Sequence, residues 1–253
     1  MIRSEWTKLR SVRSTMWSFF AAVLMTIGFP VLFSFVVRSH WSHMSPQEQA
    51  NRHPLDIALV GVHVAQLAIG VLGVLVISAE YSTGMIRASL SAVPRRLPML
   101  WAKAAVFGAT TFVLSLVSVL LAFFLSQTIF RSHHILQVSF TAPGVARTVV
   151  GGAVFLMLMG LLALGIGTIV RNTAGGIAVF AGLLFVVPPL MLLLPNGWQD
   201  AITPYLPSSA GDSIVTLDPT GNSLSPWGGF FVLLGYVAAA LVAAAVVLRR
   251  RDA

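Results

Sequence analysis

Long apolar stretches alternate with shorter polar stretches along the whole chain. Six apolar stretches stand out, at residues 17–37, 57–79, 104–130, 148–170, 174–194 and 227–248. Each holds about 20 residues or more, the length that an α-helix needs to cross the hydrocarbon core of a bilayer. None carries Asp, Glu, Lys or Arg in its interior. The pattern therefore predicts an all-α integral membrane protein with six transmembrane helices.

The composition supports this fold class and leaves no room for a second domain. Hydrophobic residues make up 57% of the 253 residues and charged residues only 9%, whereas soluble domains carry about 25% charged residues. No loop is long enough for a separate soluble domain, so residues 1–253 are predicted to form one transmembrane domain. The net charge of +8 raises nucleic acid as a partner, but the basic residues cluster beside the apolar stretches, so we expect a lipid bilayer and no nucleic acid.

Basic residues fall mainly on one side of the predicted membrane. With six spans, 12 Lys and Arg residues lie on the side of the two termini and 4 lie on the other side. Because basic residues concentrate in cytosolic loops, both termini are predicted to be cytosolic. Pro188 and Pro189 are expected to break or kink the fifth span near its outer end. The long loop 195–226 is expected to lie on the outer side, as a gate or as a cap.

The first 16 residues have the spacing of an amphipathic helix. Its apolar stripe consists of Ile2, Trp6, Leu9, Val12 and Met16, and its basic residues are Arg3, Lys8, Arg10 and Arg13. This pattern predicts a helix in the cytosolic interface, with its arginines facing anionic headgroups. The alternative is a basic flank of the first span that forms no helix of its own.

A polar insert at residues 80–96 separates the second and third spans. It begins with the acidic residue Glu80, has turn residues up to Gly84, and ends its helical run at Pro94. The residues between these points that recur at helical spacing are Met85, Ile86, Ser89, Leu90 and Val93. The insert is therefore predicted to be a short cytosolic helix whose apolar face contacts either lipid or a groove in another protein.

Several kinds of catalytic motif are missing from the chain. It has no GxxxxGK[ST] loop for ATP, no HExxH zinc motif, no GxSxG nucleophile elbow and no cysteine. These absences argue against an intramembrane enzyme and against ATP hydrolysis on this chain. The lack of ionisable residues inside the spans also argues against a proton-driven carrier.

The histidines offer two weaker candidate sites. His40, His43 and His53 share one outer loop and are candidate metal ligands, although a solvated loop is the favoured interpretation and we predict no metal. His63 and Gln66 lie three residues apart in the second span. They mark either a polar point on a substrate path or, as we favour, the level of the outer headgroups.

Small residues four positions apart predict close helix packing within the bilayer. The sets in the last three spans are Ala163 and Gly167, then Ala174, Ala178 and Gly182, then Gly235, Ala239 and Ala243. Such spacing favours a packed bundle but is common in multi-pass membrane proteins of every function.

Taken together, these features resemble the permease subunits of the ABC-2 class of ABC transporters, in the compact six-span form of actinobacterial-like chains. The resemblance covers the whole chain and rests on the opening IRSEWTKLRSVRS, the six spans with both termini inside, and the insert. Permeases of this class carry an acid, then Gly-Thr-Ile/Leu-Arg, then Pro and a basic residue. Here the acid is Glu80, followed by GMIR at 84–87 and PRR at 94–96, and Met85 departs from the usual threonine.

The resemblance implies a mechanism and a set of partners. The insert would be a coupling helix that docks in a separate ATP-binding subunit, and residues 1–16 a connecting helix. Two such subunits, which bind ATP and Mg²⁺, and a second permease chain, identical or different, would complete an exporter of amphipathic substrates in a bacterial plasma membrane. The coupling residues would be Glu80, Tyr81, Gly84, Met85, Ile86, Arg87, Leu90, Pro94, Arg95 and Arg96. The alternative is a membrane component that assembles or senses and does not transport.

Overall fold

The computed structural model describes residues 2–50, 52–82, 96–132, 137–217 and 221–250, which form helices and no strand. The helices in these ranges are α1 (Ile2–Ser11), α2 (Arg13–His40), α3 (Pro46–Ala50), α4 (Pro54–Ser82), α5 (Arg96–Arg131), α6 (Val145–Val170), α7 (Thr173–Phe185), α8 (Val187–Met191), α9 (Asn196–Ile202), α10 (Pro207–Val215) and α11 (Pro226–Arg250). Short 3₁₀ helices lie at Trp41–His43 and Thr203–Tyr205.

Five of these helices are long and apolar enough to cross a membrane. They are α2, α4, α5, α6 and α11, and they hold between 25 and 36 residues each. Their lengths and compositions are those of an all-α, multi-pass membrane protein, as the sequence pattern predicts.

The remaining apolar stretch forms two helices rather than one. The 13 residues of α7 span about 20 Å, less than the hydrocarbon thickness of about 30 Å. The helix ends at Phe185, and Pro188 lies in the first turn of the five-residue α8. A proline there lacks the N–H and the space that a continuous helix requires. The predicted break at Pro188 and Pro189 is therefore confirmed, and the stretch 174–194 is not one regular helix.

Helix α6 lies at the centre of the bundle. It packs against α4, α5, α7, α10 and α11, while α2 packs on the other side of α4 and α5. Backbones approach closely at the α4–α6 contact, where a Cβ atom on Gly73 would collide with the carbonyl oxygen of Gly160. Because lipid gives helices no hydrophobic reason to associate, such close backbone packing stabilises the bundle.

The predicted packing positions are only partly correct. A Cβ atom on Gly167 would lie 3.1 Å from Cα of Val74, so this glycine does lie at a close helix contact. Gly182 and Gly235 have no neighbouring atom within 4 Å of an added Cβ. They lie in α7 and α11, two helices at the edge of the bundle, so glycine spacing alone does not identify the packed face.

Side-chain contacts define two ends of the bundle. At the basal end, Thr173 at the start of α7 donates to Ser78 near the end of α4, and Arg171 donates to the carbonyl of Val247 in α11. At the distal end, Arg147 at the start of α6 donates to the carbonyl of Ile214 in α10. Since α7 starts at the basal end and α10 lies at the distal end, the chain runs from the basal to the distal end through α7, α8 and α9.

Candidate functional site

A single residue with non-helical backbone angles separates helix α1 from α2. Val12 has extended backbone angles (φ −85°, ψ 110°) between α1 and α2, so the chain turns sharply there. Glu5 and Lys8 lie three residues apart on one face of α1, and both point to the basal ends of α4 and α5. This geometry brings the N-terminal segment beside Glu80, the first residue of the insert, and Lys103, which follows the insert in α5.

Four charged side chains form an ionic cluster at this position, which consists of Glu5, Lys8, Glu80 and Lys103. The Lys103 ammonium lies 2.6 Å from Oε2 of Glu5 and 2.9 Å from Oε1 of Glu80. The Lys8 ammonium lies 2.9 Å from Oε1 of Glu5 and 2.9 Å from the same Glu80 oxygen. Each carboxylate thus contacts both ammonium groups, and the cluster carries no net charge.

The cluster is deeply buried on its bundle side. Glu5 is 5% exposed, Glu80 3% and Lys103 3%, whereas the Lys8 side chain is 32% exposed. Removing charges from water costs several kcal/mol per ion, and close, hydrogen-bonded pairing offsets this cost. Because each ion depends on the others, loss of one partner leaves an uncompensated buried charge.

Pairing sets the protonation of the two residues from α1. Burial alone would raise the pKa of the Glu5 carboxyl, but attraction to Lys103 and hydrogen bonds from Lys103 and Lys8 outweigh it, so the pKa lies below its ordinary value. Burial alone would lower the pKa of Lys8, but hydrogen bonds to Glu5 and Glu80 outweigh it and raise this pKa. Both residues are therefore charged at neutral pH.

The ionic cluster holds both flanks of the insert and ties them to α1. Glu80 lies two residues before the end of α4, and Lys103 lies two turns into α5. A displacement of the insert would therefore be transmitted to three helices at once. Of the residues predicted to contact a partner, Gly84, Met85, Ile86, Arg87, Leu90, Pro94 and Arg95 lie outside the described residues, and of Arg96 the backbone alone is described.

Tyr81 belongs to a second contact at the basal end. The Arg171 guanidinium lies 5.3 Å from the centre of the Tyr81 ring, and it donates to the carbonyl of Val247 at 3.4 Å. Arg171 ends α6 with a left-handed backbone (φ 58°). Its side chain thus links the ends of α4, α6 and α11 beside the ionic cluster.

The predicted apolar stripe of the N-terminal segment is divided between two environments. Leu9 is buried, whereas Trp6 is 45% exposed, and Arg3, Arg10 and Arg13 are exposed. Of Ile2 the backbone alone is described. Lys8 differs from these arginines, because it enters the ionic cluster instead of pointing to the surface.

His63 and Gln66 face different surroundings at the distal half of α4. The Nδ1 atom of His63 lies 3.2 Å from the carboxylate of Asp212 in α10. Gln66 is buried, and its side-chain amide donates to the backbone carbonyl of His63. Oε1 of Gln66 has no hydrogen-bond partner among the described residues, so His63 contacts the loop cap and only Gln66 points into the bundle.

No metal site emerges among the candidate histidines. In the described ranges, no three His, Asp or Glu side chains lie close enough together to hold a metal ion. His40 is engaged locally, with its Nδ1 atom 3.0 Å from both the Ser39 hydroxyl and the Val36 carbonyl.

Sequence reasoning missed Glu5 and Lys103, the two residues joined by the shortest ion pair of the cluster. By hydropathy Lys103 lies just before the third apolar stretch, which begins at residue 104. One signal was available, since Glu5 is the single acid in the basic segment IRSEWTKLRSVRS and Glu80 the single acid in the insert. A single acidic residue among basic residues in each of two segments at the membrane interface indicates that the acids pair with those bases.

Comparison of the chain with models of known protein families, and with curated proteins, finds no match.

Proposed function

We propose that this chain is the membrane-spanning permease subunit of an ATP-driven ABC exporter of the ABC-2 class. A separate ATP-binding subunit, present in two copies, binds ATP and Mg²⁺ and supplies the energy. A second permease chain, identical or different, completes the transporter. The substrate is amphipathic, such as a drug, an antimicrobial peptide or a lipid-like molecule, because the spans carry few polar side chains.

The proposal includes the topology. The basal end faces the cytosol of a bacterial cell and contains both termini and the insert. Helices α7 and α8 together form the fifth of six crossings, since their 18 residues measure about 27 Å, close to the hydrocarbon thickness of about 30 Å. The concentration of Lys and Arg near this end supports the orientation.

The ionic cluster is the observation that carries the proposal. A permease without its own ATP site needs a rigid route from a cytosolic partner to its spans. Glu80 and Lys103 join the two flanks of the insert directly, and Glu5 joins them to α1. Since α1 continues into α2 at Val12, force applied to the insert would reach α2, α4 and α5 together.

The contact with the partner is assigned to the apolar face of the insert. The spacing of Ile86 and Leu90 in the sequence predicts that both belong to that face, and an amphipathic helix binds a groove through such residues. Glu80 and Tyr81 would support the insert from the bundle. An assembly or sensor component would need no such partner, so the partner's identity separates the two functions.

Co-purification in a mild detergent from native membranes, followed by mass spectrometry, tests this proposal. We expect a stoichiometric subunit with a P-loop to accompany the wild-type chain, and the Ile86→Asp variant to lose it while remaining folded. Arg52→Gln, a change in the distal loop, is the matched control and should retain the subunit. A chain that purifies alone, or with partners that lack a P-loop, would contradict the proposal.

A further inference from the structure

An apolar groove of about 710 Å³ lies on the basal half of the bundle, between α1, α2 and α5. Trp6 and Leu9 of α1 form one wall, Phe20 of α2 a second and Val113 of α5 a third. Phe20 is 57% exposed and Val113 57% exposed, so the groove opens to the outside of the bundle. In a membrane protein this opening faces lipid.

The lining is suited to hydrocarbon. Among the described residues that line it, polar groups come from Arg10, from Thr110 and from the indole N–H of Trp6. The Thr110 hydroxyl donates to the carbonyl of Val106 at 2.7 Å, so it requires no further partner. A polar occupant would therefore lose its hydrogen bonds with water along most of the groove.

The groove extends over most of the depth of one leaflet. Along α2 it extends from Met16 to Val23, and along α5 from Val106 to Leu114. At a rise of 1.5 Å per residue these distances are about 10 Å and 12 Å. One leaflet contributes about 15 Å to the hydrocarbon core, so an acyl chain that enters at the basal surface contacts the groove over most of its length.

The rim of the groove is cationic. Arg10 lines the rim and is exposed, and none of the ion pairs within the described ranges involves it. Arg3 and Arg13 are exposed one or two turns away along the same segment. Trp6 stands at the same level, where indole rings favour the membrane interface.

We propose that this groove binds one anionic phospholipid, with its headgroup at Arg10 and an acyl chain against Phe20 and Val113. The ionic cluster holds α1 through its adjacent face, so the site is formed before the lipid arrives. The bound lipid joins α1 to α2 and α5 by a second contact. This inference requires only a membrane-embedded chain and does not depend on an ATP-binding partner.

Native mass spectrometry of the purified chain tests the site, with phosphatidylglycerol and phosphatidylcholine of identical acyl chains as probes. We expect wild-type protein to retain phosphatidylglycerol more strongly. Arg10→Gln should weaken that binding about fivefold, the typical contribution of one basic residue at an anionic surface, and leave phosphatidylcholine binding unchanged. Arg52→Gln in the distal loop is the charge control and should behave like the wild type.

A second pair of variants tests the groove itself. Ala109→Trp places a large ring in the groove and should reduce binding of both lipids. Leu121→Trp, on an exposed part of α5 outside the groove, should leave binding unchanged. Equal retention of the two lipids by the wild type, or unchanged binding in both Arg10→Gln and Ala109→Trp, would overturn the proposal. A change of oligomeric state in Ala109→Trp without loss of lipid would instead make the groove a contact between two copies.

Discussion

Lys103 and Glu5 are 98 residues apart in the chain, yet their ammonium and carboxylate groups lie 2.6 Å from each other in a buried position. This ion pair fastens the N-terminal helix to the first part of α5. Through Glu80, which the same ammonium contacts at 2.9 Å, it also fastens α1 to the end of α4. The flanks of the insert therefore behave as one connected unit.

Replacement of Lys103 tests the energetic role of the ionic cluster. Lys103→Met leaves two buried carboxylates with only Lys8, and breaking such a buried pair costs about 3–5 kcal/mol. We expect the thermal unfolding midpoint in detergent to fall by several degrees. Lys8→Met should cost less, because Lys8 is partly exposed and both carboxylates keep Lys103. Equal losses in the two variants would mean that burial does not determine the strength of these contacts.

The pKa of Glu5 predicts how stability depends on pH. Because the folded-state pKa lies below the ordinary value of 4.5, the ionised carboxylate stabilises the fold above about pH 4.5, and this contribution is lost as the pH falls through the folded pKa. The Glu5→Gln variant should be less stable at neutral pH and lose less stability on acidification. Unfolding midpoints measured between pH 7 and pH 3 check this, and parallel curves for both proteins would count against it.

The pKa of Lys8 predicts how the stability of the protein changes at alkaline pH. Its pKa is raised above the ordinary value of 10.5, so its contribution is complete below about pH 10.5 and is lost as the pH rises through the folded pKa. Lys8→Met should therefore be less stable than the wild type at neutral pH and should lose less stability on alkalinisation. The same unfolding measurement, continued to pH 11.5, separates the two proteins.

Close packing of α2 on α4 predicts a contrast between two glycines. A Cβ atom on Gly61 would lie 2.8 Å from the carbonyl oxygen of Met25 and closer still to that of Thr26, whereas a Cβ on Gly28 meets nothing within 4 Å. Gly61→Ala should destabilise the protein by about 1–3 kcal/mol, the usual cost of overpacking. Gly28→Ala is the matched control in the facing helix and should be neutral or slightly stabilising.

The hydrogen bonds of Arg147 predict that this residue stabilises α10 and the two residues that follow it. Its guanidinium donates to the carbonyls of Ile214, Thr216 and Leu217 at 3.1–3.4 Å, so it caps the C-terminal end of α10. Arg147→Gln should accelerate hydrogen exchange in residues 207–217 by about tenfold, given the strength of hydrogen bonds from a charged donor. Arg131→Gln, an exposed residue at the end of α5, should leave this exchange unchanged.

The apolar pattern predicts the helices better than their ends. Helix α5 begins at Arg96, eight residues before the predicted span. A span predicted from hydropathy stops at a charged residue such as Lys103. The helix itself continues past that residue, because its backbone hydrogen bonds do not depend on the side chain. Hydropathy therefore places Lys103 outside the bundle, although it is buried within α5. The break before α8 is predictable, because proline acts on its own helix and needs no tertiary contact.

The ionic cluster could not be predicted from local sequence patterns, because its residues are far apart in the chain. Glu5 and Lys8 have a local signal, the spacing of three residues, but their contacts with Glu80 and Lys103 depend on the turn at Val12. Likewise, the spacing of Gly182 and Gly235 resembles that of packed glycines, and only the arrangement of α7 and α11 leaves them uncovered. Local sequence patterns thus predict the individual helices, whereas the ionic cluster depends on how those helices are arranged.

Photo-crosslinking from the insert tests the central claim most directly. The chain has no cysteine, so Ile86→Cys can carry a single benzophenone maleimide in native membranes, and Ser42→Cys, in the exposed distal turn, serves as the control. We expect the label at residue 86 to capture a protein with a P-loop and the label at residue 42 to capture none. Capture of no P-loop protein from residue 86, or equal capture from both positions, would contradict the assignment of the insert as the contact with an ATP-binding subunit.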